Sequence, residues 1–165
     1  MKMNSNLLKT TLVAAAGLLF SNSTLAATET TTFQVTATVA DSCLVSATDL
    51  NFGAYNPAAG ALDGTSTITA ACTAETPYQI GLSAGNGTPA TTTRAMTDGA
   101  GAQLDYELYS DVTRTAIWGA TAGTTVAQSA LTGGALHYAV YGRIPASQYV
   151  PAANYVDTVT VTVTY

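Results

Sequence analysis

The final residues of the chain, 157–165, alternate between apolar and polar side chains. Val159, Val161, Val163 and Tyr165 fall on one side, and threonines separate them. Successive side chains of a β-strand point in opposite directions, so a period of two residues predicts a strand with one buried face. No polar tail follows this strand. We therefore expect its apolar face to be buried and its edges to be paired, because a free apolar edge promotes aggregation.

A second alternating stretch, residues 32–39, lies near the other end. Phe33, Val35, Ala37 and Val39 share one face, and Gln34 and threonines occupy the other. Threonine and valine both suit a pleated surface. A polar, featureless segment, residues 28–32, precedes this strand. The pattern leaves open whether the strand belongs to a sheet of its own chain or to a sheet of a neighbouring molecule.

Short alternating segments separated by turn residues occupy the rest of the chain. Glycine, proline and asparagine mark the turns, and no segment after the first 26 residues has a helical period of useful length. This pattern is typical of an all-β sandwich or a small barrel. The expected strands lie around Cys43 and at residues 65–72, 78–83, 91–96, 103–110, 136–144 and 157–165.

The first 26 residues have the features of a secretory signal peptide. Lys2 and Lys9 precede an apolar run at residues 11–20, and small residues follow before the expected cleavage after Ala26. The run is short for a membrane span, although an uncleaved anchor is the alternative. Cleavage leaves 139 of the 165 residues, enough for one domain of sandwich size.

The expected mature chain is strongly acidic. Its only cations are Arg94, Arg114 and Arg143 against ten aspartates and glutamates, a formal net charge of −7. Such a chain cannot bind nucleic acid by neutralising phosphates, and it offers no basic patch to anionic lipid.

Cys43 and Cys72 are the two cysteines. In an exported protein a pair of cysteines indicates one disulfide, with two buried free thiols as the alternative. The closed loop would contain about 30 residues, which corresponds to roughly 3–4 kcal/mol in the chain-entropy description. The spacing excludes CxxC redox or zinc chemistry.

The sequence offers little support for catalysis. His137 is the only histidine and lies in an alternating strand, which favours a structural role. Asp105 and Glu107 share one strand face, which favours a solvated surface over an acid–base pair. No metal-ligand spacing or phosphate-binding loop is present, so we expect no enzyme activity, metal or cofactor, and no small-molecule substrate. Trp118 and the nine tyrosines could line a sugar site, but rings of this kind more often fill a core or an interface.

Several segments together resemble the spore coat protein U domain, a family found in subunits of archaic chaperone–usher pili. No single segment is specific, but their order along the chain is. The matching parts are residues 33–39, 49–55, 106–109, 141–145 and 155–165, together with Cys43, Cys72 and Trp118 followed by glycine.

The resemblance implies an immunoglobulin-like sandwich that lacks its last strand and is completed by donor-strand exchange. A periplasmic chaperone supplies a strand first, and the N-terminal segment of the next subunit replaces it at an outer-membrane usher. Applied to this chain, residues 27–41 are the donor extension, with Phe33, Val35, Ala37 and Val39 as its apolar face. Residues 42–165 are the incomplete domain, with Val159, Val161, Val163 and Tyr165 along the acceptor groove.

Three further expectations follow from the resemblance. A Cys43–Cys72 bridge would join the first two strands of the domain. Basic chaperone residues would hold the carboxylate of Tyr165. The product would be a head-to-tail fibre of subunits, exported through the periplasm to the cell surface for adhesion and biofilm formation.

Two other functions remain open at this point. One is a secreted sugar-binding sandwich, which an exposed, concave cluster of Trp118 and tyrosines would support. The other is a self-contained coat or matrix domain in which the strand at Phe33 completes its own sheet.

Overall fold

The computed structural model describes residues 26–87, 90–130 and 132–165, and within them the chain is all-β with no helix. Residues 1–25, which hold most of the predicted signal peptide, lie outside the described residues. Eight strands follow in chain order: β1 (Cys43–Ala47), β2 (Leu62–Cys72), β3 (Pro77–Leu82), β4 (Arg94–Thr97), β5 (Gln103–Tyr109), β6 (Val126–Ser129), β7 (Gly134–Ile144) and β8 (Val161–Thr164).

The strands form two antiparallel sheets that pack as a sandwich. The larger sheet has the order β1-β2-β7-β5-β4, and the smaller has the order β6-β3-β8. The longest ladder joins β2 and β7 from Leu62↔Ile144 to Cys72↔Gly134. β1 is therefore an edge strand of the larger sheet, and β8 is an edge strand of the smaller one.

The strand directions place β1 and β8 antiparallel to each other. Every neighbouring pair in the larger sheet is antiparallel, so β1, β7 and β4 run the same way. An antiparallel bridge joins Thr97 at the end of β4 to Val156. The chain after Val156 continues into β8, which therefore runs opposite to β1, and the two edge strands approach each other across the sandwich.

The core lies between the two sheets and contains aliphatic and aromatic side chains from both. Trp118 is 1% exposed, and its Nε1 donates to the carbonyl of Ile80 on β3 at 2.9 Å. Its backbone N–H donates to Leu108 on β5, so this residue connects the two sheets. Tyr78 and Tyr138 also meet across the sandwich, hydroxyl to hydroxyl, with their rings edge to face.

The alternation in the sequence located most strands, with three differences. β8 is confined to Val161–Thr164, although Val159, Val161 and Val163 are half-buried on the predicted face. β6 was not predicted, because only its first residue is partly buried and the other three are exposed. Residues 26–42 form no strand within the chain, and all of them are exposed.

Candidate functional site

The open edge of β8 is the first component of the candidate site. Ser83 N donates to Thr160 O at 3.0 Å, and the register continues as Gly81↔Thr162 and Gln79↔Thr164. In an antiparallel ladder the N–H and C=O of one residue point to the same side, and alternate residues point to opposite sides. The backbone groups of Val161 and Val163 therefore point away from β3. No strand in the described part of the chain pairs with that edge.

The side chains of this edge face the core. Val159, Val161 and Val163 are half-buried and pack against the buried cluster, whereas Tyr165 is 59% exposed. The structure thus brings three of the four predicted edge residues together on one inward face and leaves the terminal tyrosine outside it. A strand placed beside β8 would receive backbone hydrogen bonds and an apolar contact surface from the same residues.

A cleft opens beneath this edge, between the two sheets. Its volume is about 1220 Å³, and residues from strands of both sheets line it together with loop residues. Aliphatic and aromatic side chains form much of the lining, among them Leu50, Phe52, Met96, Leu104, Tyr106 and Val161. An apolar cleft of this size inside a sandwich is space that the chain's own side chains leave unfilled, although interiors are normally close-packed.

A pair of glycines, which we call the glycine floor, lies beneath Leu50 and Phe52, two residues that line the cleft. Gly64 on β2 and Gly142 on β7 are direct partners in the ladder. A Cβ atom on Gly142 would lie 2.7 Å from Phe52 Cζ and 2.9 Å from Leu50 Cδ1. The segment at residues 49–55 thus lies over the sheet because Gly64 and Gly142 have no side chains. Gly53 within it adopts a φ of 76°, a conformation that glycine reaches without steric cost.

A buried ion pair forms part of the scaffold around the cleft. Arg94 is fully buried, and its Nη1 lies 2.5 Å from Glu107 Oε1. The guanidinium also donates to the carbonyls of Leu82, Ser83, Thr91 and Trp118. The expectation that Glu107 lies on a solvated face was wrong, because Glu107 is buried and its carboxylate contacts the buried guanidinium of Arg94; Asp105 is exposed as expected.

Electrostatics at this pair follow from burial. Desolvation raises the pKa of the Glu107 carboxyl, and the Leu108 N–H and Arg94 oppose the shift. The sequence did not indicate this ion pair, because Arg94 and Glu107 are 13 positions apart and no local period relates them. The available signal was that arginine is rare in this chain. An arginine inside an alternating segment that becomes buried needs hydrogen-bond acceptors, because an unpaired buried charge is costly.

Asp157 fixes the approach to β8. Its carboxylate accepts hydrogen bonds from Asn86 N at 2.6 Å and from the hydroxyl of Tyr106 at 2.7 Å. Burial and this hydrogen bond raise the pKa of Tyr106 well above its usual range. Gly85, at a φ of 83°, leaves the space that Asp157 occupies. The start of the last segment is therefore attached both to the loop after β3 and to β5.

The disulfide joins β1 and β2, and the last residue of β1, Ala47, lines the cleft. Cys43 and Cys72 are bonded and face each other directly in the β1–β2 ladder, with Cα atoms 4.1 Å apart. The predicted bridge between the first two strands is confirmed. It secures β1, whose one ladder partner among the described strands is β2.

The segment at residues 32–39, which we call the leading segment, carries a row of exposed apolar residues. Phe33, Val35 and Val39 are 86%, 81% and 84% exposed, and Ala37 is exposed as well. Few soluble chains present such a regular apolar face to water without a partner for it. The structure describes this segment as neither helix nor strand.

The remaining candidate residues carry no visible chemistry. His137 is exposed, and its Nδ1 lies 2.9 Å from Thr69 Oγ1 on the neighbouring strand, a pairing between adjacent strands. Within the described ranges no cluster of His, Cys, Asp or Glu could hold a metal ion. Across the same residues, no helix is long and apolar enough to cross a membrane.

The fold and the open cleft define an all-β sandwich with an unpaired edge at its last strand. The sequence profile of the Spore Coat Protein U domain matches residues 29–162, and the chain belongs to that family. It is 36% identical to Protein U of Myxococcus xanthus over 168 aligned residues, covering 92% of this chain and 93% of the relative.

A solved structure shows the same architecture. The chain is similar, with a TM-score of 0.56 and 27% identity over 78% of its length, to a chain in the crystal structure of the CsuC–CsuE chaperone–tip adhesion subunit pre-assembly complex from archaic chaperone–usher Csu pili of Acinetobacter baumannii. It spans 40% of that chain's length.

Proposed function

We propose that this protein is a structural pilus subunit that polymerises by donor-strand complementation. The observation that carries the proposal is the β8 edge, whose outward backbone groups and inward valines lie above an unfilled apolar cleft. The donor is the leading segment of the next subunit, with Phe33, Val35, Ala37 and Val39 facing the cleft. Family membership and the likeness to a chaperone-bound pilus subunit support this reading.

The energetics support strand addition. Burial of Phe33, Val35 and Val39 contributes about 1.5–3 kcal/mol each, on the order of 5–9 kcal/mol together. A row of main-chain hydrogen bonds adds to this term. The contact is head-to-tail, with different surfaces on the two partners, so it does not close on itself and generates a fibre.

The same edge explains the need for assembly factors. An unpaired strand over an apolar cleft would promote aggregation before assembly. A periplasmic chaperone that lends a strand would protect it, and an outer-membrane usher would exchange that strand for the next subunit's segment. The fibre would then lie on the cell surface and serve in adhesion and biofilm formation. Basic chaperone residues would hold the carboxylate of the exposed Tyr165.

The two alternatives have less support. A sugar site built on Trp118 would need an exposed ring, whereas this ring is buried and its N–H is bonded to the backbone of β3. A self-contained coat or matrix domain would need residues 32–39 to complete their own sheet. The chain forms no strand there, and the β8 edge has no partner among the described strands.

A matched pair of substitutions tests the proposal. Val35→Asp places a charge on the apolar face of the donor, and Thr36→Asp places the same charge on its polar face. We expect the first to abolish fibres and the second to retain them, when each is co-expressed with its chaperone and usher and examined by electron microscopy and by resistance of the polymer to detergent. Fibres from the Val35→Asp chain would contradict the proposed donor.

A further inference from the structure

The chain between the leading segment and β1 is held in line with β1. Thr73 N donates to Ser42 O at 2.9 Å, and Ser42 N donates to Thr73 Oγ1 at 3.2 Å. These bonds extend the β1–β2 ladder by one pair beyond the disulfide-bonded cysteines. Ser42 therefore continues the strand and is not available as the corner of a reverse turn.

The residue before it is held as well. Thr76 Oγ1 donates to Asp41 Oδ1 at 3.0 Å and lies 2.6 Å from Thr73 Oγ1. Thr76 is 2% exposed, so a buried hydroxyl from the turn after β2 binds an exposed carboxylate upstream of β1. We call Asp41, Thr73 and Thr76 the Asp41 clamp. The polypeptide thus leaves the domain through a fixed pair of residues, 41 and 42.

The clamp restricts self-insertion. To enter the cleft of its own chain, the leading segment would have to fold back along the free edge of β1, and only Ala40 and Asp41 separate Val39 from Ser42. A two-residue turn there would have to change the backbone of Ala40 and Asp41, and would so break the hydrogen bond between Thr76 and Asp41. A strand folded back in this way would also run parallel to β8, which is the slightly weaker ladder, whereas a neighbour's segment can run antiparallel.

We propose that Asp41, Thr73 and Thr76 are positioning residues that prevent the leading segment from completing its own sandwich and so reserve the cleft for a second copy. This inference rests on the proposed function. The need for such a device follows from effective concentration. A segment attached through a short linker is present at about 1 mM, so at about 10 μM protein self-insertion would otherwise be favoured by roughly 100-fold.

The test measures what covers β8 in the full chain. Hydrogen exchange at the amides of Val161 and Val163 is followed over a range of protein concentrations. In the unsubstituted chain we expect protection to rise with concentration, because a second copy supplies the strand. In Asp41→Ala we expect protection independent of concentration and a polymerisation rate lower by about 100-fold at ~10 μM.

Three further variants distinguish loss of the Asp41 clamp from a general effect of substitution on the protein. Asp41→Asn keeps the acceptor oxygen and should restore the behaviour of the unsubstituted chain. Asp105→Ala removes an exposed carboxylate elsewhere and should change nothing. Asp41→Ala combined with Val35→Asp should lose the concentration-independent protection, because the covering strand is the chain's own segment. If Asp41→Ala keeps the concentration dependence of the unsubstituted chain, the inference is overturned.

A peptide experiment distinguishes failure of this inference from failure of the proposed function. A synthetic peptide of residues 30–40 is added to the full chain carrying Val35→Asp. If the peptide does not protect Val161 and Val163, the cleft does not accept the segment and the proposed function fails. If the peptide protects them while Asp41→Ala behaves as the unsubstituted chain, only the role of the clamp is lost.

Discussion

The guanidinium of Arg94 and the carboxylate of Glu107 lie 2.5 Å apart inside the sandwich, but their hydrogen bonding is unequal. All five N–H donors of Arg94 have acceptors, four of them backbone carbonyls. Glu107 Oε1 accepts from Arg94 and from Leu108 N, whereas its buried Oε2 has no partner. The arginine thus holds several segments together, and the glutamate depends on the arginine.

Replacement of Arg94 should therefore be severe. We expect Arg94→Met to lower the free energy of unfolding by about 3–5 kcal/mol near neutral pH, because it leaves a buried carboxylate uncompensated. Urea unfolding followed by circular dichroism measures the loss. Arg143→Met is the matched control. It breaks the ion pair between Arg143 and Asp63, in which both side chains are about 40% exposed. This substitution should lower the free energy of unfolding by about 0–1 kcal/mol. Equal losses would mean that the buried pair has no special role.

The stability of the protein should depend on pH through Glu107. Burial raises the pKa of this carboxyl above its usual value near 4.5, so the folded state holds the proton more tightly than the unfolded state does. Its contribution to stability is therefore fully present below about pH 4.5 and declines as the pH rises through the raised pKa.

The Glu107→Gln variant isolates this contribution. The variant has no carboxyl at position 107. The free energy of unfolding of the unsubstituted chain should therefore fall, relative to that of the variant, as the pH rises through the raised pKa of Glu107. Denaturant midpoints at a series of pH values provide the measurement. The pKa of Asp63 is lowered in the folded state, so this residue changes the stability at more acidic pH and in the opposite direction. Both proteins contain Asp63, and its effect therefore cancels in the comparison. A difference that does not vary with pH would contradict the prediction.

The glycine floor should not tolerate a side chain. In Gly142→Ala the new Cβ would lie 2.7 Å from Phe52 Cζ, so we expect a loss of about 1–3 kcal/mol through displacement of Phe52. Phe52→Ala removes the nearer of the two obstacles and leaves Leu50 Cδ1 at 2.9 Å. The double variant should then be less destabilised than the sum of the two single variants, with a coupling of about 0.5–3 kcal/mol in a double-mutant cycle. Additive losses would show that the two residues do not interact.

Loss of the disulfide should weaken the attachment of β1 to β2. The bridge closes a loop of sequence separation 29, so replacement of both Cys43 and Cys72 by serine should cost about 3–4 kcal/mol. Thermal unfolding of the variant and of the reduced unsubstituted chain should give similar losses. If the serine variant is as stable as the oxidised chain, the bridge does not stabilise the fold.

The strands with a regular alternation were predictable, and those without it were not. β5 and β7 show a period of two because one face of each packs into the sandwich, a local signal that needs no knowledge of the partner. β6 has no apolar face, since Ala127, Gln128 and Ser129 are exposed, and it is defined only by its pairing with β3.

The components of the site divide in the same way. The valines of β8 and the apolar face at Phe33 were visible as patterns, and so was the pair of cysteines. The glycine floor, the Arg94–Glu107 pair and the Asp41 clamp were not. Each joins residues distant in the chain through a contact that no local period encodes.

The sequence by itself determined that this chain builds sheets, has one pair of cysteines and has an alternating apolar pattern near each end, because side-chain alternation and residue type are local properties. Only the tertiary structure decided that the edge of β8 stays open over an apolar cleft, that β1 lies antiparallel to it, and that Asp41 and Ser42 are held in line with β1. These features depend on which strands meet across the sandwich, and the packing of distant segments sets that arrangement.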